Sequence, residues 1–142
     1  MSELGFSGVH HVTIPVSDLP ASIAWYTTCL AAKHVTRFDH HGQDGAVFAV
    51  ILQLPGHGPQ VQLRTDAAMA GAMAGYTPVT LGVADRTELD RWVVHLDAHD
   101  IAHPAVMTRR IGDSVDVESP DGLVLRFYTD PVGGIESVEF AE

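Results

Sequence analysis

The sequence predicts an α+β fold built from two tandem β-α-β-β-β modules. The first observation is an internal repeat, in which "VSDLPASIAW" from Val16 aligns with "VADRTELDRW" from Val83 at an offset of 67 positions. Near the end of each copy, "VQLRTD" from Val61 aligns with "LRFYTD" from Leu125 at an offset of 64 positions. Apolar residues also alternate in short β-type segments, and a helix start follows the first strand of each copy. A duplicated unit explains all three observations.

The first module opens with an alternating segment that leads into a capped helix. In "HVTIPV", Val12, Ile14 and Val16 share one face, which indicates a strand with one buried side. Asp18 stands where an N-cap residue would accept backbone hydrogen bonds, and apolar residues recur at helical spacing over 19–30. Three further strands are expected near residues 33–38, 46–54 and 60–64, separated by the turn-rich segments "HHGQDG" and "PGHGP".

The second module repeats this order. Asp85 followed by Glu88 resembles a capping box, and an apolar helix stripe comes after it. Its members are Leu89, Trp92, Val93 and Leu96. Strands are expected near residues 106–110, 114–118 and 123–128, with "SPDG" as the turn before the last of them.

The repeat also sets the expected domain organisation. Residues 1–66 form the first module, 67–77 an Ala- and Gly-rich linker with a helical turn, 78–130 the second module and 131–142 a C-terminal extension. We expect one compact domain in all. In the extension, Ile135, Val138 and Phe140 alternate and are expected to cover a sheet edge or a partner.

Composition and charge narrow the class of protein. The net charge of −10, from 18 acidic and 8 basic residues, argues against nucleic acid as a partner. No apolar run reaches the roughly 18–20 residues of a membrane span, and the N-terminus has no secretion-signal pattern. The only cysteine, Cys29, excludes an internal disulfide and is interpreted as a buried bystander. These features predict a cytoplasmic protein without a membrane partner.

The opening "HHVTIPVSDLPASIAWY" and the closing "SPDGLVLRFYTDP", within this duplicated pattern, resemble the vicinal oxygen chelate superfamily. That group contains glyoxalases, bleomycin-resistance proteins and extradiol dioxygenases, and the resemblance runs from Gly8 to Pro131. It implies that the curved mixed sheets form an open barrel-like cup with a small-molecule ligand on its concave face. It also implies a homodimer. Function varies within such a fold, from isomerases, lyases, epimerases and dioxygenases to metal-free binding proteins.

The resemblance further implies where a metal ion would be held, at one strand position in each of four equivalent places. The first position corresponds to His11 and the second to Gln62, which are the two ligand positions retained. The repeat offset puts Pro78 at the third position, and the closing strand puts Arg126 at the fourth. Proline has no side-chain donor and a guanidinium has no lone pair to give. We therefore expect no metal and no other cofactor.

Histidines elsewhere leave one alternative open, which is a divalent metal at a relocated site. His40, His41 and His57 lie in turn-rich segments, and nothing in their spacing favours such a site. Adjacent strand residues point to opposite faces, so His10 is expected to point away from His11 or to lie at the frayed start of the strand.

Without a metal, the same positions become a polar ligand-binding surface. Alternation puts Gln62 and Arg126 on strand faces opposite the apolar ones, and Tyr128 on the same face as Arg126. The ligand-binding residues expected in the cup are His11, Gln62, Arg126 and Tyr128, with Phe48 and Val50 lining its wall. A guanidinium there suits a carboxylate, an enolate or a phosphate.

Three structural alternatives remain for these residues. Arg126 pairs with Asp116 or Glu118 on the neighbouring strand, His11 is a core residue hydrogen-bonded to Gln62, or Tyr128 is only a wall residue.

The function favoured by the sequence is binding of a small organic molecule in a cup that lacks the usual metal ligands, for resistance or sequestration. One alternative is a metal-free enzyme with His11 and Arg126 as catalytic residues, the first as general acid or base and the second stabilising an oxyanion. The other is an isomerase, lyase, epimerase or dioxygenase with a relocated divalent metal.

Overall fold

The computed structural model describes residues 3–56 and 59–134. The chain divides into two compact units, Met1–Met73 and Ala74–Glu142, so the boundary falls inside the linker expected at 67–77. His57 and the alternating residues of the C-terminal extension, Ile135, Val138 and Phe140, lie outside the described residues. Each unit has its own mixed sheet. The second unit is a β-α-β-β-β module, and the first adds to this order a short strand at His40–His41 and a helix at Ala67–Ala72.

The first unit forms a five-stranded sheet in the order β1-β5-β4-β2, with β3 added against β4. Strand β1 runs parallel to β5, and the other pairings are antiparallel. Helix α1 packs on β4 and β5, which places one face of the sheet in the core. The elements are β1 (His11–Val16), α1 (Leu19–Cys29), β2 (Lys33–His34), a 3-10 turn (Thr36–Phe38), β3 (His40–His41), β4 (Val47–Gln53), β5 (Gln60–Thr65) and α2 (Ala67–Ala72).

The second unit forms a four-stranded sheet in the order β6-β9-β8-β7. Strand β6 runs parallel to β9, as β1 does to β5, and the other two pairings are antiparallel. Helix α3 packs on β6, β8 and β9. The elements are β6 (Thr80–Val83), α3 (Arg86–Ala98), β7 (Met107–Thr108), β8 (Asp113–Glu118) and β9 (Val124–Thr129).

Strand register confirms the internal repeat. Thr13 pairs with Gln62 in the first unit, and Thr80 pairs with Arg126 in the second. These residues are related by the two offsets found in the sequence, 67 for the first strand of each unit and 64 for the last. Gln62 and Arg126 therefore occupy equivalent places in the two sheets.

Aspartate N-caps begin all three described helices. The Asp18 carboxylate accepts a hydrogen bond from the backbone N–H of Ala21 at 3.1 Å, and Asp85 accepts from Glu88 at 2.9 Å. Asp66 caps α2 in the same way, which turns part of the linker into a helix. Each cap satisfies a backbone donor that the first helical turn leaves unpaired. The Glu88 carboxylate accepts from the guanidinium of Arg91 at 2.9 Å, one turn further along α3.

The cores lie on the helix-covered faces of the two sheets. Ile14 and Leu63 are fully buried in the first unit, and Leu125 in the second. On the same face of the second sheet, the ring of Phe127 packs edge-on against that of Trp92 on α3, with 5.2 Å between ring centroids. Burial raises the pKa of the Cys29 thiol to about 12, so this cysteine is a core residue rather than a nucleophile. None of the helices in 3–56 and 59–134 has the length and apolar character needed to span a bilayer.

Three expected elements differ from those observed, and one of them, the strand expected near 106–110, is observed only over Met107–Thr108. His40 and His41, expected in a turn, form a short strand against β4 with a register shift between them, and the chain reverses at Gly42–Gly45 instead. The strand expected at 33–38 ends at His34, because Phe38 closes a 3-10 turn by donating its N–H to the carbonyl of Val35 at 3.0 Å.

The loop after α3 contains a charge-sensitive contact, at His103. Its Nε2 lies 2.7 Å from the Asp97 carboxylate and its Nδ1 2.8 Å from the carbonyl oxygen of Pro104. Both partners only accept hydrogen bonds, so both ring nitrogens donate only when the imidazole is protonated. The hydrogen bond to the Pro104 carbonyl is the largest of the causes that raise the pKa of His103 above its ordinary value, and the hydrogen bond to Asp97 is the second.

We expect His103→Ala to destabilise the protein at low pH more than at high pH. A raised folded-state pKa adds stability that is fully present below the unfolded pKa of about 6.5 and is lost as pH rises through the folded pKa. Thermal unfolding measured from pH 5.5 to pH 8.5 should show the gap between the wild type and the variant closing as pH rises. His41→Ala, which removes an exposed histidine, is the control, and a gap that widens with pH would contradict the assignment.

Candidate functional site

The first sheet has one polar face. Paired strand residues point to the same side of a sheet, and β1 and β5 pair His11 with Gln60 and Thr13 with Gln62. These positions alternate with the buried residues of the same strands. The polar face carries His11, Thr13, Gln60, Gln62 and Arg64.

Gln62 is held on this face by a hydrogen bond. The residue is 9% exposed, and its Oε1 accepts from the hydroxyl of Thr13 at 3.0 Å. This bond fixes the amide orientation and leaves the amide N–H groups as the donors that Gln62 can offer. Close by, the buried Oε1 of Gln60 has no hydrogen-bond partner within the described part of the chain.

The two adjacent histidines contact each other instead of pointing apart. Strand β1 begins at His11, so His10 lies just before the strand. This is one of the two alternatives that the sequence left open for His10. The Nδ1 atoms of the two exposed rings are 3.0 Å apart, and the rings meet edge to face. One ring therefore donates to the other. The alternative of a core His11 bonded to Gln62 is wrong, because His11 is exposed and the Gln62 carbonyl accepts from Thr13.

The apolar neighbour of Gln62 is not the one expected. Strand register pairs Ile51 with Gln62 and Val50 with Leu63, so the fully buried Val50 faces the core and the prediction that it lines a ligand wall is wrong. Phe48 lies two residues before Val50 in β4, and this register does not place it beside Gln62. Its ring instead contacts the guanidinium of Arg64, 5.2 Å from the ring centroid, as well as the ring of His40.

The second sheet also has a polar face, and an ion pair lies at its centre. Arg126 and Asp116 are directly paired across β9 and β8. The Nε of Arg126 donates to Oδ1 of Asp116 at 2.8 Å, and its second nitrogen donates to Oδ2 at 3.1 Å. Hydrogen bonding to this carboxylate raises the pKa of Arg126 further. The alternative in which Arg126 pairs with Asp116 is confirmed.

The polar face of the second sheet also carries Arg109, which the sequence analysis did not identify as a site residue. Arg109 donates from Nε to the hydroxyl of Ser114 at 2.5 Å, and its terminal nitrogen is 4.0 Å from the Asp116 carboxylate. Tyr128, two residues beyond Arg126, shares its face and pairs with Ser114 across the strands. Tyr128 is half-buried, so a wall role and a ligand-contact role both remain predictions.

The four positions at which a metal would be held offer few donors. Gln62 has one lone pair engaged by Thr13, Pro78 has no donor, and Arg126 is a cation bonded to a carboxylate. Over residues 3–56 and 59–134, no group of three histidine, cysteine, aspartate or glutamate side chains is arranged to hold a metal ion.

Comparison with protein families decides the relationship. The model of the glyoxalase/bleomycin resistance protein/dioxygenase superfamily matches residues 8–133. The chain belongs to this superfamily. The family resemblance in the sequence is confirmed, and the fold is the α+β, glyoxalase-like one. No curated protein matches the chain.

Solved structures of the superfamily share this fold at low identity. A glyoxylase/bleomycin resistance protein/dioxygenase domain from Frankia sp. EAN1pec is 24% identical, with a TM-score of 0.67 over 88% of this chain and 98% of that one. TnmS3, an antibiotic binding protein from Streptomyces sp. CB03234, is 19% identical, with a TM-score of 0.70 over 89% and 98%. The fosfomycin resistance protein FosX from Listeria monocytogenes is 14% identical, with a TM-score of 0.65 over 91% and 98%.

Proposed function

We propose that the protein binds a small organic molecule without a metal ion at the superfamily's ligand positions. The observation that carries this proposal is the Arg126–Asp116 pair, at 2.8 and 3.1 Å, in the place equivalent to Gln62. A guanidinium has no lone pair with which to coordinate a cation, and Arg126 is already bonded to a carboxylate. The donor set present does not fit the metal centre that the superfamily implies.

The residues of the first unit suit ligand contact better than metal coordination. Gln62 is oriented by Thr13 and is flanked by the half-buried Ile51. One fixed amide beside an apolar side chain is typical of small-molecule sites, in which a few polar groups orient a mainly apolar ligand. On this basis we propose Gln62 and the neighbouring His11 for ligand contact in the first unit, with Phe48 as a secondary candidate. Arg126 and Tyr128, on the polar face of the second sheet, are the candidates in the second unit.

Two structural neighbours support binding as the type of activity. TnmS3 is described as an antibiotic binding protein and FosX as a fosfomycin resistance protein. By analogy, we propose sequestration of, or resistance to, a small toxic molecule, by a homodimer in the cytoplasm.

A second candidate function is metal-free catalysis. It is favoured by the exposed His10–His11 pair, whose Nδ1 atoms lie 3.0 Å apart and share a proton. A neighbouring imidazole lets His11 act as general acid or base. Arg126 would then stabilise an oxyanion that develops in the reaction.

Calorimetric titration with a panel of antibiotics, including bleomycin and fosfomycin, distinguishes the two functions. We expect a panel member to bind with about one equivalent per chain and to be recovered unchanged by mass spectrometry after prolonged incubation. If the wild type converted a panel member into a product and His11→Ala did not, the proposal of binding alone would be wrong and metal-free catalysis would be the function.

A further inference from the structure

Two guanidinium groups flank a single carboxylate on the polar face of the second sheet. We call Arg109 and Arg126 the arginine pair. Arg126 makes two hydrogen bonds to Asp116, whereas the nearest approach of Arg109 to the same carboxylate is 4.0 Å. Among the residues that the structure describes, one carboxylate thus serves two guanidinium groups.

The surplus positive charge is unusual for this chain, which has a net charge of −10. Arginines of the same unit on helix α3 are paired with their own carboxylates. Arg86 contacts Asp90 at 2.8 Å, and Arg91 contacts Glu88 at 2.9 Å. Arg109 instead donates its Nε to a neutral hydroxyl, that of Ser114. Within the described residues, the only carboxylate near Arg109 is that of Asp116 at 4.0 Å, and Arg126 already holds this group with two hydrogen bonds.

Over residues 3–56 and 59–134, the arginine pair has more N–H donors than hydrogen-bond acceptors in contact with it. A guanidinium has five N–H groups, and the contacts with Asp116 and Ser114 use two on Arg126 and one on Arg109. The two side chains are 27% and 26% exposed, so solvent molecules or a ligand reach the remaining N–H groups while the field is only partly screened. Planar donors in this arrangement match the oxygens of carboxylate, phosphonate or phosphate groups.

The turn between β7 and β8 holds Arg109 in place. The backbone N–H of Arg109 donates to the carbonyl of Gly112 at 2.7 Å. A Cβ on Gly112 would lie 2.9 Å from the carbonyl oxygen of Thr129 and 3.1 Å from the Tyr128 ring, and would overlap the Thr129 hydroxyl. The absence of a side chain at Gly112 lets this turn pack directly on β9, the strand that carries Arg126.

We propose that the arginine pair is a subsite for the oxyanion group of a small organic ligand, with Arg109 as a specificity-determining residue. This inference rests on the proposed function and adds the chemical class of the ligand. Asp116 orients Arg126 and sets the net charge of the subsite at about +1, which suits one carboxylate or one phosphonate. A neutral ligand would leave the surplus charge uncompensated.

Titration with inorganic phosphate, followed by NMR of the arginine Nε–H groups, tests the subsite directly. We expect saturable shifts at Arg109 and Arg126, with affinity reduced at least 10-fold by Arg109→Ala. Arg109→Lys should reduce the affinity less, because it keeps the charge and loses the fork. Arg91→Ala removes the same charge from an exposed position on α3 and should leave phosphate affinity unchanged.

Asp116→Asn is expected to change phosphate affinity in the opposite direction to Arg109→Ala. Removal of the carboxylate should tighten phosphate binding several-fold, because it removes repulsion beside the anion while both guanidinium groups remain. Thermal unfolding of each variant checks that it is folded. Shifts that do not saturate, or phosphate affinity that neither Arg109→Ala nor Asp116→Asn changes, would overturn the subsite. The antibiotic panel tests the proposed function separately. If a neutral panel member bound Arg109→Ala and the wild type with equal affinity, only the oxyanion subsite would be contradicted.

Discussion

Leu125→Ala is expected to lower the free energy of unfolding by about 2–5 kcal/mol. Leu125 is fully buried on the helix-covered face of β9, where it pairs with Val117 on β8. The substitution removes the transfer free energy of the lost methyl and methylene groups and leaves a cavity beneath α3. Urea unfolding at constant pH measures the difference.

Leu4→Ala is the matched control, because it makes the same chemical change at a fully exposed leucine. It should change the free energy of unfolding by less than about 0.5 kcal/mol. If the two variants lost equal stability, the assignment of the Leu125 face of β9 to the core, and of the Arg126 face to the polar surface, would be wrong.

Arg126→Ala is expected to weaken ligand affinity by about 100-fold, which corresponds to about 2.7 kcal/mol. The substitution removes charge-assisted hydrogen bonds to the ligand oxyanion, which contribute about 1.5–3 kcal/mol. It also leaves the part-buried Asp116 carboxylate without its main partner, which should cost about 1–2 kcal/mol of stability. Calorimetry with the bound panel member and urea unfolding measure the two effects separately.

Arg126→Lys separates charge from geometry. It keeps a cation near Asp116 but cannot make two parallel hydrogen bonds, so we expect an intermediate loss of affinity. If Arg126→Ala lost stability and bound the ligand as tightly as the wild type, the Arg126–Asp116 pair would be purely structural.

The repeat and the helix caps could be read from the sequence because they depend on local chemistry. The offsets of 67 and 64 relate Thr13 to Thr80 and Gln62 to Arg126, and the two pairs occupy equivalent places in the two sheets. Asp18 and Asp85 cap their helices as expected, since an N-cap needs only a short side-chain acceptor at the right place. The alternation of apolar residues in β9 also identified its buried face.

The parts of the site that the sequence did not reveal depend on register and on turns. Strand β4 is apolar on both faces, so alternation could not show that Ile51 rather than Val50 lies beside Gln62. Arg109 approaches the Asp116 carboxylate from the turn at Gly112, because β7 ends at Thr108 and not near residue 110 as the apolar pattern predicts. The contact between His10 and His11 depends on how the chain enters β1, which the alternation of apolar residues does not define.

Dependence of ligand binding on metal is the most direct test of metal-free recognition. The protein is stripped with a chelator, dialysed, and titrated with the bound panel member, and the titration is repeated after addition of one equivalent of zinc or manganese. We expect equal affinities, and less than about a tenth of an equivalent of metal retained after gel filtration. Binding or turnover that appears only with the added ion, and that is lost in His11→Ala and Gln62→Ala, would contradict metal-free binding and establish a metal centre in its place.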